Sequence, residues 1–324
     1  MRILVVGGAG YIGSVTTAEL LAAGHKVTVY DSLISGHAPA VPRGAELVVG
    51  DVRDQEVLGR VLADHAIEAV VYYGGFIAAG ESMAQPGRYF ANNVGGAIGL
   101  LNTMLEYDVR RFVFSSSAAV YGEPESVPLT EDAPIRPVNP YGESKVIVEV
   151  MLRWYGSQCG LRHVSLRYFN AAGATEKAGE DHRPETHLIP VVLQAALGQR
   201  RCVPLYGSDY PTPDGTCVRD YIHVSDLAAA HILALRRLEA GNGVYNLGNG
   251  RGFSNREVIE TARRISGQPI EVNEEERRAG DPPVLVASAE KAKAELGWQP
   301  KVTTLDEIVE SAWRWHQAHP KGYE

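Results

Sequence analysis

Tyr141 and Lys145 are the two residues whose types and spacing most directly indicate chemistry in this chain. They lie four positions apart within the run PYGESK at 140–145, so on a helix their side chains share one face. A free phenol has a pKa of about 10, and a base at neutral pH needs that value lowered by about three units, or about 4 kcal/mol. A neighbouring cation lowers the pKa of an acid by about 1–3 units. The pair therefore predicts a proton-transfer site, although exposed helices also produce this spacing by chance.

A glycine-rich segment near the start of the chain lies between a predicted strand and a predicted helix. Gly7–Gly13 reads GGAGYIG and contains both Gly-x-Gly-x-x-Gly and Gly-x-x-Gly-x-x-Gly. Glycines let backbone amides approach a pyrophosphate at a helix N-terminus. Ordinary tight turns also use glycines, but the strand-turn-helix setting favours dinucleotide binding. The positive nicotinamide ring of an oxidised cofactor would then lower the pKa of Tyr141 further.

An acidic residue ends the second predicted strand. Asp31 lies at about the distance downstream of the glycines at which an acid holds the adenosine ribose, and its charge would repel a 2′-phosphate. The sequence therefore predicts NAD rather than NADP. The alternative is a turn residue before Ser32, and Asp51, after the third strand, carries the same two interpretations.

Short β-branched runs alternate with helical patterns in the first half of the chain. Strands are predicted at Ile3–Val6, Lys26–Tyr30, Ala45–Val49, Ala69–Tyr73, Arg111–Ser115 and His163–Tyr168, and helices at Tyr11–Ala23, Gln55–Ala63, Pro86–Tyr107 and Tyr141–Tyr155. This alternation predicts the α/β class, with a doubly wound parallel sheet of the Rossmann type. We expect the alternation to stop after Tyr168.

The second half is rich in loop signals from about Asn170 onward. Helices are still predicted near His187–Leu197, Val224–Leu238, Asn255–Ser266 and Leu305–His316. We therefore predict an NAD-binding Rossmann domain over residues 1–169 and a smaller, mixed α/β C-terminal substrate domain over 170–324, with some segments returning to the first domain.

Composition and charge exclude several classes of protein. The net charge of -8 and the absence of a long basic run argue against a nucleic-acid partner. The three cysteines, Cys159, Cys202 and Cys217, show no Cys-x-x-Cys spacing, which favours a reducing compartment. The apolar run Ile3–Val6 is too short for a signal peptide, and no later segment has the length of a membrane span. We expect a cytoplasmic protein with no membrane partner.

Two histidines invite a metal or base assignment. His231 lies in the apolar helical run Leu227–Leu235, and neither it nor His223 has a partner at a metal-ligand spacing. We interpret both as structural residues and predict no metal site.

Later motifs connect these features to a known family. The chain reads SSSAAVYG at 115–122, RYFN at 167–170, ETHLIP at 185–190, DYPT at 209–212 and VRDYIHV at 218–224. Together with Tyr141 and Lys145, these motifs make nearly the whole chain resemble the extended short-chain dehydrogenase/reductases that act on nucleotide sugars. Within that family the chain is most similar to the branch that epimerises UDP-glucose and UDP-galactose at C4.

The resemblance implies roles for particular residues. The catalytic set would be Ser117, Tyr141 and Lys145. Cofactor contacts are implied for Gly7, Gly10, Tyr11, Ile12, Gly13, Asp31, Ser32, Asp51, Val52, Asn92, Tyr141, Lys145 and Tyr168. UDP-sugar contacts are implied for Ser117, Asn170, His187, Leu188, Tyr206, Arg219, Arg278, Asp281 and Leu285. Arginine suits diphosphate oxygens, but without the resemblance Arg219 would be interpreted as a local ion pair with Asp220, and Arg278 as part of a solvated stretch.

The resemblance also implies a mechanism and an assembly. Tyr141 would take the proton of the sugar 4-hydroxyl while C4 gives a hydride to tightly bound NAD, which yields a transient 4-keto sugar. Ser117 would share the hydrogen bond, and Lys145 would hold the cofactor ribose. The related 4,6-dehydratases carry an Asp-Glu pair where this chain has Ala118-Ala119, so elimination lacks its acid. The family dimerises through the helices that correspond to Pro86–Tyr107 and Tyr141–Tyr155, so we expect a homodimer.

The chain departs from the family pattern on segments that would face the cofactor. Family members usually read His-Phe-Ala-Ala/Gly-x-Lys after the fourth strand, whereas residues 72–77 here read YYGGFI, with Ile77 in place of the lysine and Gly74-Gly75 in the middle. Val15 stands where histidine is common and Ser32 where asparagine usually follows the ribose-binding acid. We expect these changes to alter cofactor affinity, redox balance or sugar choice.

Two alternatives to a UDP-glucose/UDP-galactose enzyme remain open. One is a 4-epimerase of another UDP-sugar, either a uronate or an N-acetylhexosamine. Leu285 aligns with a family position where side-chain size controls the admission of N-acetyl groups, and its intermediate size predicts poor N-acetyl activity. The other is an NAD-binding sensor or partner-binding protein with weakened catalysis.

Overall fold

The computed structural model describes residues 1–278 and 280–324, and its strands are mostly short. In chain order they are β1 (Arg2–Val6), β2 (Lys26–Asp31), β3 (Glu46–Val49), β4 (Ala69–Tyr72), β5 (Arg111–Ser117), β6 (Arg162–Tyr168), β7 (Asn170–Ala172), β8 (Val203–Tyr206), β9 (Val218–His223), β10 (Gly243–Leu247), β11 (Gly252–Ser254), β12 (Val272–Glu275) and β13 (Val284–Leu285). The strands predicted from the β-branched runs all occur.

The helices follow the same order of elements. They are α1 (Tyr11–Ala22), α2 (Gln55–Asp64), α3 (Ala79–Ala84), α4 (Pro86–Tyr89), α5 (Gly96–Glu106), α6 (Pro140–Cys159), α7 (Leu188–Ala196), α8 (Val224–Arg237), α9 (Asn255–Ser266), α10 (Glu290–Leu296) and α11 (Leu305–Ala318). The described ranges contain no helix with both the length and the apolar character needed to cross a membrane.

Seven strands form one parallel sheet. Their order is β3-β2-β1-β4-β5-β6-β10, and every neighbouring pair is parallel. The order reverses direction between β1 and β4, and ligands of doubly wound sheets bind in the crevice outside the carboxyl ends of the strands at such a point. The predicted fold class is confirmed, and the crevice lies where Gly7 follows β1.

Alternation of side chains along β1 explains why both faces of the sheet are covered. Ile3 and Val5 belong to an apolar cluster on one face, and Leu4 and Val6 belong to a cluster on the other. The first cluster includes residues of α1, α8 and α10, and the second includes residues of α2, α5 and α6. Such strands have apolar residues at every position because helices pack on both sides of a parallel sheet.

The expectation that the strand-helix alternation stops after Tyr168 is wrong. The helix α8 packs on α1, and β10 pairs in parallel with β6, with Leu247 opposite Tyr168. Glycines at 241, 243 and 248 surround this five-residue strand, so its local sequence resembles a loop. Residues 243–247 form a strand because the free edge of β6 offers backbone hydrogen-bonding partners. The position of β10 in the large sheet agrees with the expectation that some segments of 170–324 return to the first domain. The division at 169/170 stays a prediction.

The remaining strands form small sheets beside a third apolar cluster. Strand β9 pairs with β7, β11 and β13, and β8 pairs with β12. The cluster combines Val192 of α7, Val258 of α9 and Ile308 of α11. The hydroxyl of Tyr11, at the start of α1, donates to the carbonyl of Gly173 at 2.6 Å, so this part of the chain contacts the glycine-rich end of the sheet.

The predicted helix Pro86–Tyr107 is interrupted by a π-helical turn. Residues Phe90–Gly95 form this turn between α4 and α5. π turns often occur at functional sites because the wider turn redirects side chains. Here the turn contains Asn92 and Asn93.

Candidate active site

The first turn of α6 carries Tyr141. The helix begins at Pro140, and the side chain of Asn139 caps it by accepting from the amide of Gly142 at 2.8 Å. Proline suits this first position because its missing N–H would have no intrahelical partner. The amide of Tyr141 donates to the Ser82 hydroxyl at 3.2 Å. These contacts position Tyr141 at the carboxyl ends of the central strands.

Lys145 lies one helical turn further along α6 and is almost completely buried. Its ammonium donates to the carbonyl of Ser115 at 2.8 Å and lies 5.7 Å from the centre of the Tyr141 ring. Burial lowers the pKa of Lys145 to about 8. The group therefore remains mostly protonated at neutral pH and supplies a cation close to Tyr141, as the spacing predicts.

Ser117 ends β5 and completes the predicted catalytic set. Burial raises the pKa of Tyr141 above its usual value, while a hydrogen bond with Ser117 lowers it only in part. The sequence analysis expected a lowered pKa, and in the protein alone the shift has the opposite direction because desolvation dominates. A further positive charge next to Tyr141 would favour its ionised form.

Tyr168, at the end of β6, is connected to Lys145 through Ser115. Its hydroxyl bonds to the hydroxyl of Ser115, whose carbonyl accepts from Lys145. Burial and then the neighbouring Tyr141 raise the pKa of Tyr168. The structure thus brings Tyr168 to the predicted catalytic residues.

The glycine turn has the close backbone packing that a dinucleotide site requires. Gly7 has a φ of +80°, which favours glycine, and a Cβ on Gly13 would overlap the carbonyl oxygen of Gly7. The Asp31 carboxylate accepts from the amides of Ala9 at 2.9 Å and Leu33 at 2.8 Å. The acid therefore lies directly against the glycine turn, where a ribose would follow the pyrophosphate.

Asp51 and Val52 follow β3 on the same side of the sheet. The Arg53 guanidinium hydrogen-bonds the Asp51 carboxylate at 2.6 Å and lowers the pKa of that carboxyl. The Tyr30 hydroxyl donates to the Asp51 carbonyl at 2.8 Å, and Val52 is buried in the core. Asp51 is thus held at the sheet edge but already has an ionic partner.

Asn93 is a buried site residue that the sequence analysis missed. It accepts from the amide of Phe76 at 2.8 Å and donates to the carbonyl of Phe76 at 3.0 Å. The neighbouring Asn92, which the resemblance implies for cofactor binding, donates to Asn93 at 3.1 Å. The available signal was an amide side chain directly before the apolar and glycine run at 94–101, because buried amides are expected to be hydrogen-bonded.

The departures at 72–77 have different structural roles. Tyr72 is buried beside Phe112 and Phe114, and its hydroxyl has no hydrogen-bond partner among the described residues. The Tyr73 hydroxyl bonds Thr16 at 2.6 Å. Ile77, by contrast, is 43% exposed. The two tyrosines therefore contribute to packing. Ile77 lies at the surface of the loop 73–78 between β4 and α3, which we call the crevice loop.

The two histidines interpreted as structural make local contacts. His231 is fully buried, its Nδ1 bonds the Leu227 carbonyl at 2.8 Å, and its ring packs on Tyr73. Burial lowers the pKa of His231 to about 4, so it is neutral. His223 bonds the hydroxyls of Ser225 at 2.6 Å and Ser311 at 3.1 Å. These contacts fit a structural role for both.

Several residues implied for the substrate meet around β9. Arg219 donates to the Pro282 carbonyl at 2.8 Å and lies 3.4 Å from the Asp281 carboxylate. Leu285 pairs with Arg219 across β9 and β13. The Arg278 guanidinium lies 3.8 Å from the centre of the Tyr206 ring. In addition, Asn170 pairs with Tyr221 of β9.

His187 and Leu188 lie at the start of α7, where a second group of ionisable residues gathers. His182 and His187 both contact the carboxylates of Glu180 and Glu185. Burial alone would lower the pKa of each imidazole, but the two carboxylates outweigh it and raise the pKa of His182 to about 9 and of His187 to about 10. The sequence analysis missed this group, although the repeated Glu-x-His spacing at 180–187 was a signal for it.

Comparison with known proteins identifies the family. Residues 3–248 match the NAD dependent epimerase/dehydratase family. The chain is 50% identical to the UDP-glucose 4-epimerase of Lacticaseibacillus casei, covering 100% of this chain and 99% of that protein. It is 51% identical to the UDP-glucose 4-epimerase of Halalkalibacterium halodurans, covering 100% of this chain and 98% of that protein.

Solved structures give the same result. A crystal structure of a UDP-glucose 4-epimerase superposes with a TM-score of 0.97 at 49% identity over 100% of both chains. The Brucella ovis UDP-glucose 4-epimerase in complex with NAD has a TM-score of 0.94 at 45% identity, over 97% of this chain and 98% of that one. The Bifidobacterium longum enzyme in complex with NAD+ and UDP has a TM-score of 0.94 at 39% identity, over 99% of this chain and 100% of that one. The family suggested by the motifs is therefore confirmed, and the chain belongs to the NAD dependent epimerase/dehydratase family.

Proposed function

We propose that this protein interconverts UDP-glucose and UDP-galactose by epimerisation at C4, with NAD as a tightly bound cofactor. The observation that carries the proposal is the meeting of Tyr141, Lys145 and Ser117 at the carboxyl ends of β5 and β6. Its relatives named UDP-glucose 4-epimerase match the chain over its full length. Together these observations favour an isomerase over a binding module.

The residues at the crevice fit NAD. The backbone of the glycine turn packs closely at the N-terminus of α1, where a pyrophosphate would bind, and Asp31 lies against that turn. When bound, NAD supplies a nicotinamide ring that accepts a hydride from the sugar and returns it, so the cofactor is regenerated in each cycle. The ring would also be positively charged when oxidised, and this charge would favour the ionised form of Tyr141, which burial disfavours.

The chain's own groups would handle the proton. Tyr141, as a phenolate, accepts the proton of the sugar 4-hydroxyl as the 4-keto sugar forms, and later returns it. Ser117 hydrogen-bonds the phenol and the sugar oxygen. Lys145 stays protonated below about pH 8 and keeps a positive charge beside the phenolate. Because the charged groups are buried, their mutual interaction is stronger than it would be in water.

The substrate end would bind UDP and let the keto sugar turn over. Arg219 and Arg278 offer guanidinium groups for the diphosphate, and the Arg278 guanidinium lies 3.8 Å from the centre of the Tyr206 ring. We assign Asn170, His187, Leu188 and Asp281 to the surrounding contacts by analogy with the family. Leu285 lies on β13 directly beside Arg219, so we propose that its size limits the group at C2 of the sugar and keeps N-acetyl substrates poor.

We also propose a homodimer. The outer surfaces of α5 and α6 expose apolar side chains: Trp154 is 64% exposed, and Ile98 and Val150 are exposed as well. The Tyr155 hydroxyl donates to Asn102 at 2.6 Å, which holds the two helices together as one surface. Light scattering tests this proposal, since Trp154→Arg should convert a dimer to a monomer. A monomeric wild-type protein would contradict it.

We also propose a division into two domains at 169/170 and a cytoplasmic location. Residues 1–169 contribute six of the seven strands of the large sheet and the apolar cluster that contains Leu4 and Val6, and residues 170–324 contribute the third cluster, which supports the division at 169/170. The cluster that contains Ile3 and Val5 combines residues of both parts. All three cysteines are free thiols, which supports a reducing compartment such as the cytoplasm.

The activity is tested by incubating purified protein with NAD and UDP-galactose and separating the nucleotide sugars. We expect UDP-glucose to form, and Tyr141→Phe to lower kcat by a factor of about 10²–10⁴ without lowering the melting temperature. Tyr107→Phe, at an exposed tyrosine on the far end of α5, is the matched control. A near-wild-type rate for Tyr141→Phe would overturn the mechanism, and NAD retention without turnover would support a binding module.

A further inference from the structure

The segment Glu180–His187 gathers four side chains that carry metal-ligating atoms. One such atom from each of Glu180, His182, Glu185 and His187 lies within 4.8 Å of the others. His182 Nδ1 is 3.2 Å from Glu180 Oε1 and 3.6 Å from Glu185 Oε2. His187 Nδ1 is 2.6 Å from Glu180 Oε1 and 3.5 Å from Glu185 Oε1. In a tetrahedral Zn²⁺ site with bonds of about 2.0–2.1 Å, neighbouring ligand atoms are about 3.3 Å apart.

Two atoms that face into this group lack hydrogen-bond partners. Within the part of the chain that the structure describes, His182 Nδ1 and Glu185 Oε2 are buried without a hydrogen bond, and the Glu185 side chain is only 2% exposed. The other oxygen of Glu185 accepts from the amides of Thr186 at 2.7 Å and His187 at 2.8 Å. One carboxylate oxygen is therefore fixed by the backbone and the other is left for a ligand, as is usual for an oriented metal-binding carboxylate.

The charges of the group also allow a divalent cation to take the place of the two imidazolium protons. Glu180 and Glu185 are both buried carboxylates, and buried charges are normally paired or coordinate a metal. The two negative charges match one divalent ion when both imidazoles are neutral, so the ion would replace the imidazolium protons at constant net charge. Two imidazoles and two carboxylates suit Zn²⁺, whereas Mg²⁺ prefers a shell of oxygens and water.

We propose that Glu180, His182, Glu185 and His187 form a binding site for a divalent transition-metal ion, with Zn²⁺ as its occupant. One eight-residue segment supplies all four ligands. Four protein ligands fill a tetrahedral zinc site and leave no position for a substrate or water, so the site is structural rather than catalytic. It lies outside the group formed by Tyr141, Lys145 and Ser117 and takes no part in the proton transfer.

The location of the site indicates what the ion would stabilise. His187 precedes the first helical residue of α7, and the segment begins soon after Gly173, which Tyr11 contacts. The ion would hold this connection in one conformation between the glycine turn and α7. The His187 side chain is 45% exposed, so with Nδ1 on the metal its Nε2–H faces outward and can donate to a diphosphate. This last role rests on the proposed function, whereas metal binding does not.

Metal content tests the site directly. Untagged full-length protein is incubated with excess Zn²⁺, dialysed against metal-free buffer and analysed by mass spectrometry of its metals. We expect about one zinc ion per chain, and Co²⁺ in its place should give the visible absorption of a four-coordinate centre. Mg²⁺ under the same conditions should not be retained. Zinc well below one ion per chain in the wild-type protein would overturn the proposal, as would retention of Mg²⁺ instead.

Paired variants localise the ion. His182→Gln and Glu185→Gln should each weaken zinc binding by about tenfold or more, with circular dichroism confirming that the variants fold. His65→Gln is the matched control, because His65 is similarly exposed and lies 3.6 Å from Glu46, outside the four-residue group. Equal zinc loss in His65→Gln and His182→Gln would reject this location.

Kinetics separates the positioning role from binding. If the ion orders the start of α7, removing it should raise KM for UDP-galactose by about tenfold while kcat changes little. An unchanged KM after zinc loss would reject the positioning role. A wild-type protein that holds zinc but does not interconvert the sugars would reject the proposed function and leave the metal site intact.

Discussion

The amide of Asn93 donates a hydrogen bond to the Ser144 hydroxyl across 3.1 Å, and that hydroxyl donates to the carbonyl of Tyr141 at 2.7 Å. Asn93 also makes two hydrogen bonds with the backbone of Phe76. One buried side chain in the π turn therefore connects the loop after β4 with the first turn of α6. The loop that departs from the family pattern is thus linked to the helix that carries the proposed base.

Asn93→Ala should remove the hydrogen bonds to the loop after β4 and to the first turn of α6. The N–H and C=O of Phe76 would lose their partners, and each unsatisfied buried group costs about 1–3 kcal/mol. We expect a lower melting temperature and a kcat/KM reduced by about tenfold, measured with UDP-galactose. Asn273→Ala, at an exposed asparagine on β12, should change kcat/KM little. Equal effects of the two variants would contradict this account.

Gly13→Ala should abolish the close packing of the glycine turn. The added Cβ would meet the Gly7 carbonyl and the Gly8 backbone, which are both rigid, and such overpacking costs about 1–3 kcal/mol. We expect the purified variant to retain much less NAD, measured by absorbance after denaturation. Gly87→Ala on α4 is the control, because no atom lies within 4 Å of its Cβ position. Full NAD retention by Gly13→Ala would show that this turn does not hold the pyrophosphate.

Ile77→Lys restores the family's usual residue. Ile77 is 43% exposed on the crevice loop, so a lysine can be accommodated with a stability change within about 0.5 kcal/mol. We expect slower NAD loss during dialysis because the new ammonium can donate to the cofactor. Met83→Lys, at a side chain 63% exposed on α3, adds the same charge nearby and should leave NAD loss unchanged. If both lysines slow NAD loss equally, general charge rather than a specific contact is responsible.

His231 should make the protein sensitive to acid. Its folded-state pKa of about 4 lies below the value of about 6.5 for a free histidine, so between these values the unfolded chain binds a proton that the folded chain does not. Stability from the neutral ring is therefore present above pH 6.5 and is lost as the pH falls, by about 2 kcal/mol at pH 5.

His231→Leu removes this dependence. Melting temperatures of the wild-type protein and the variant are compared at pH 7.5 and pH 5, with His65→Gln as control. We expect the wild-type protein to lose more stability than His231→Leu over this interval. His65→Gln should behave like the wild type, because the His65 side chain is 22% exposed whereas His231 is fully buried. Parallel losses in all three proteins would show that His231 is not a source of acid sensitivity.

Local patterns in the sequence determined the fold class and much of the candidate site. The apolar runs at β1 and β4 predict buried parallel strands because both faces of such a strand meet helices. The glycines at 7, 10 and 13 predict a tight turn between strand and helix, and in the structure Gly7 has a φ of +80° and Gly13 packs against the Gly7 carbonyl. The spacing of Tyr141 and Lys145 predicts a shared helical face, and the structure places Lys145 within 5.7 Å of the Tyr141 ring centre.

Only the tertiary structure decided the features that depend on residues far apart in the chain or on burial. β10 becomes a strand because β6 offers a free edge, and Asn93 reaches Phe76 and Ser144 only when the π turn packs against α6. The direction of the Tyr141 pKa shift follows from desolvation, which spacing cannot show. Glu180, His182, Glu185 and His187 were visible as a repeated motif, but folding brought their ligand atoms together around one point. Sequence determines which groups are available, whereas the folded chain sets their distances and their exposure to water.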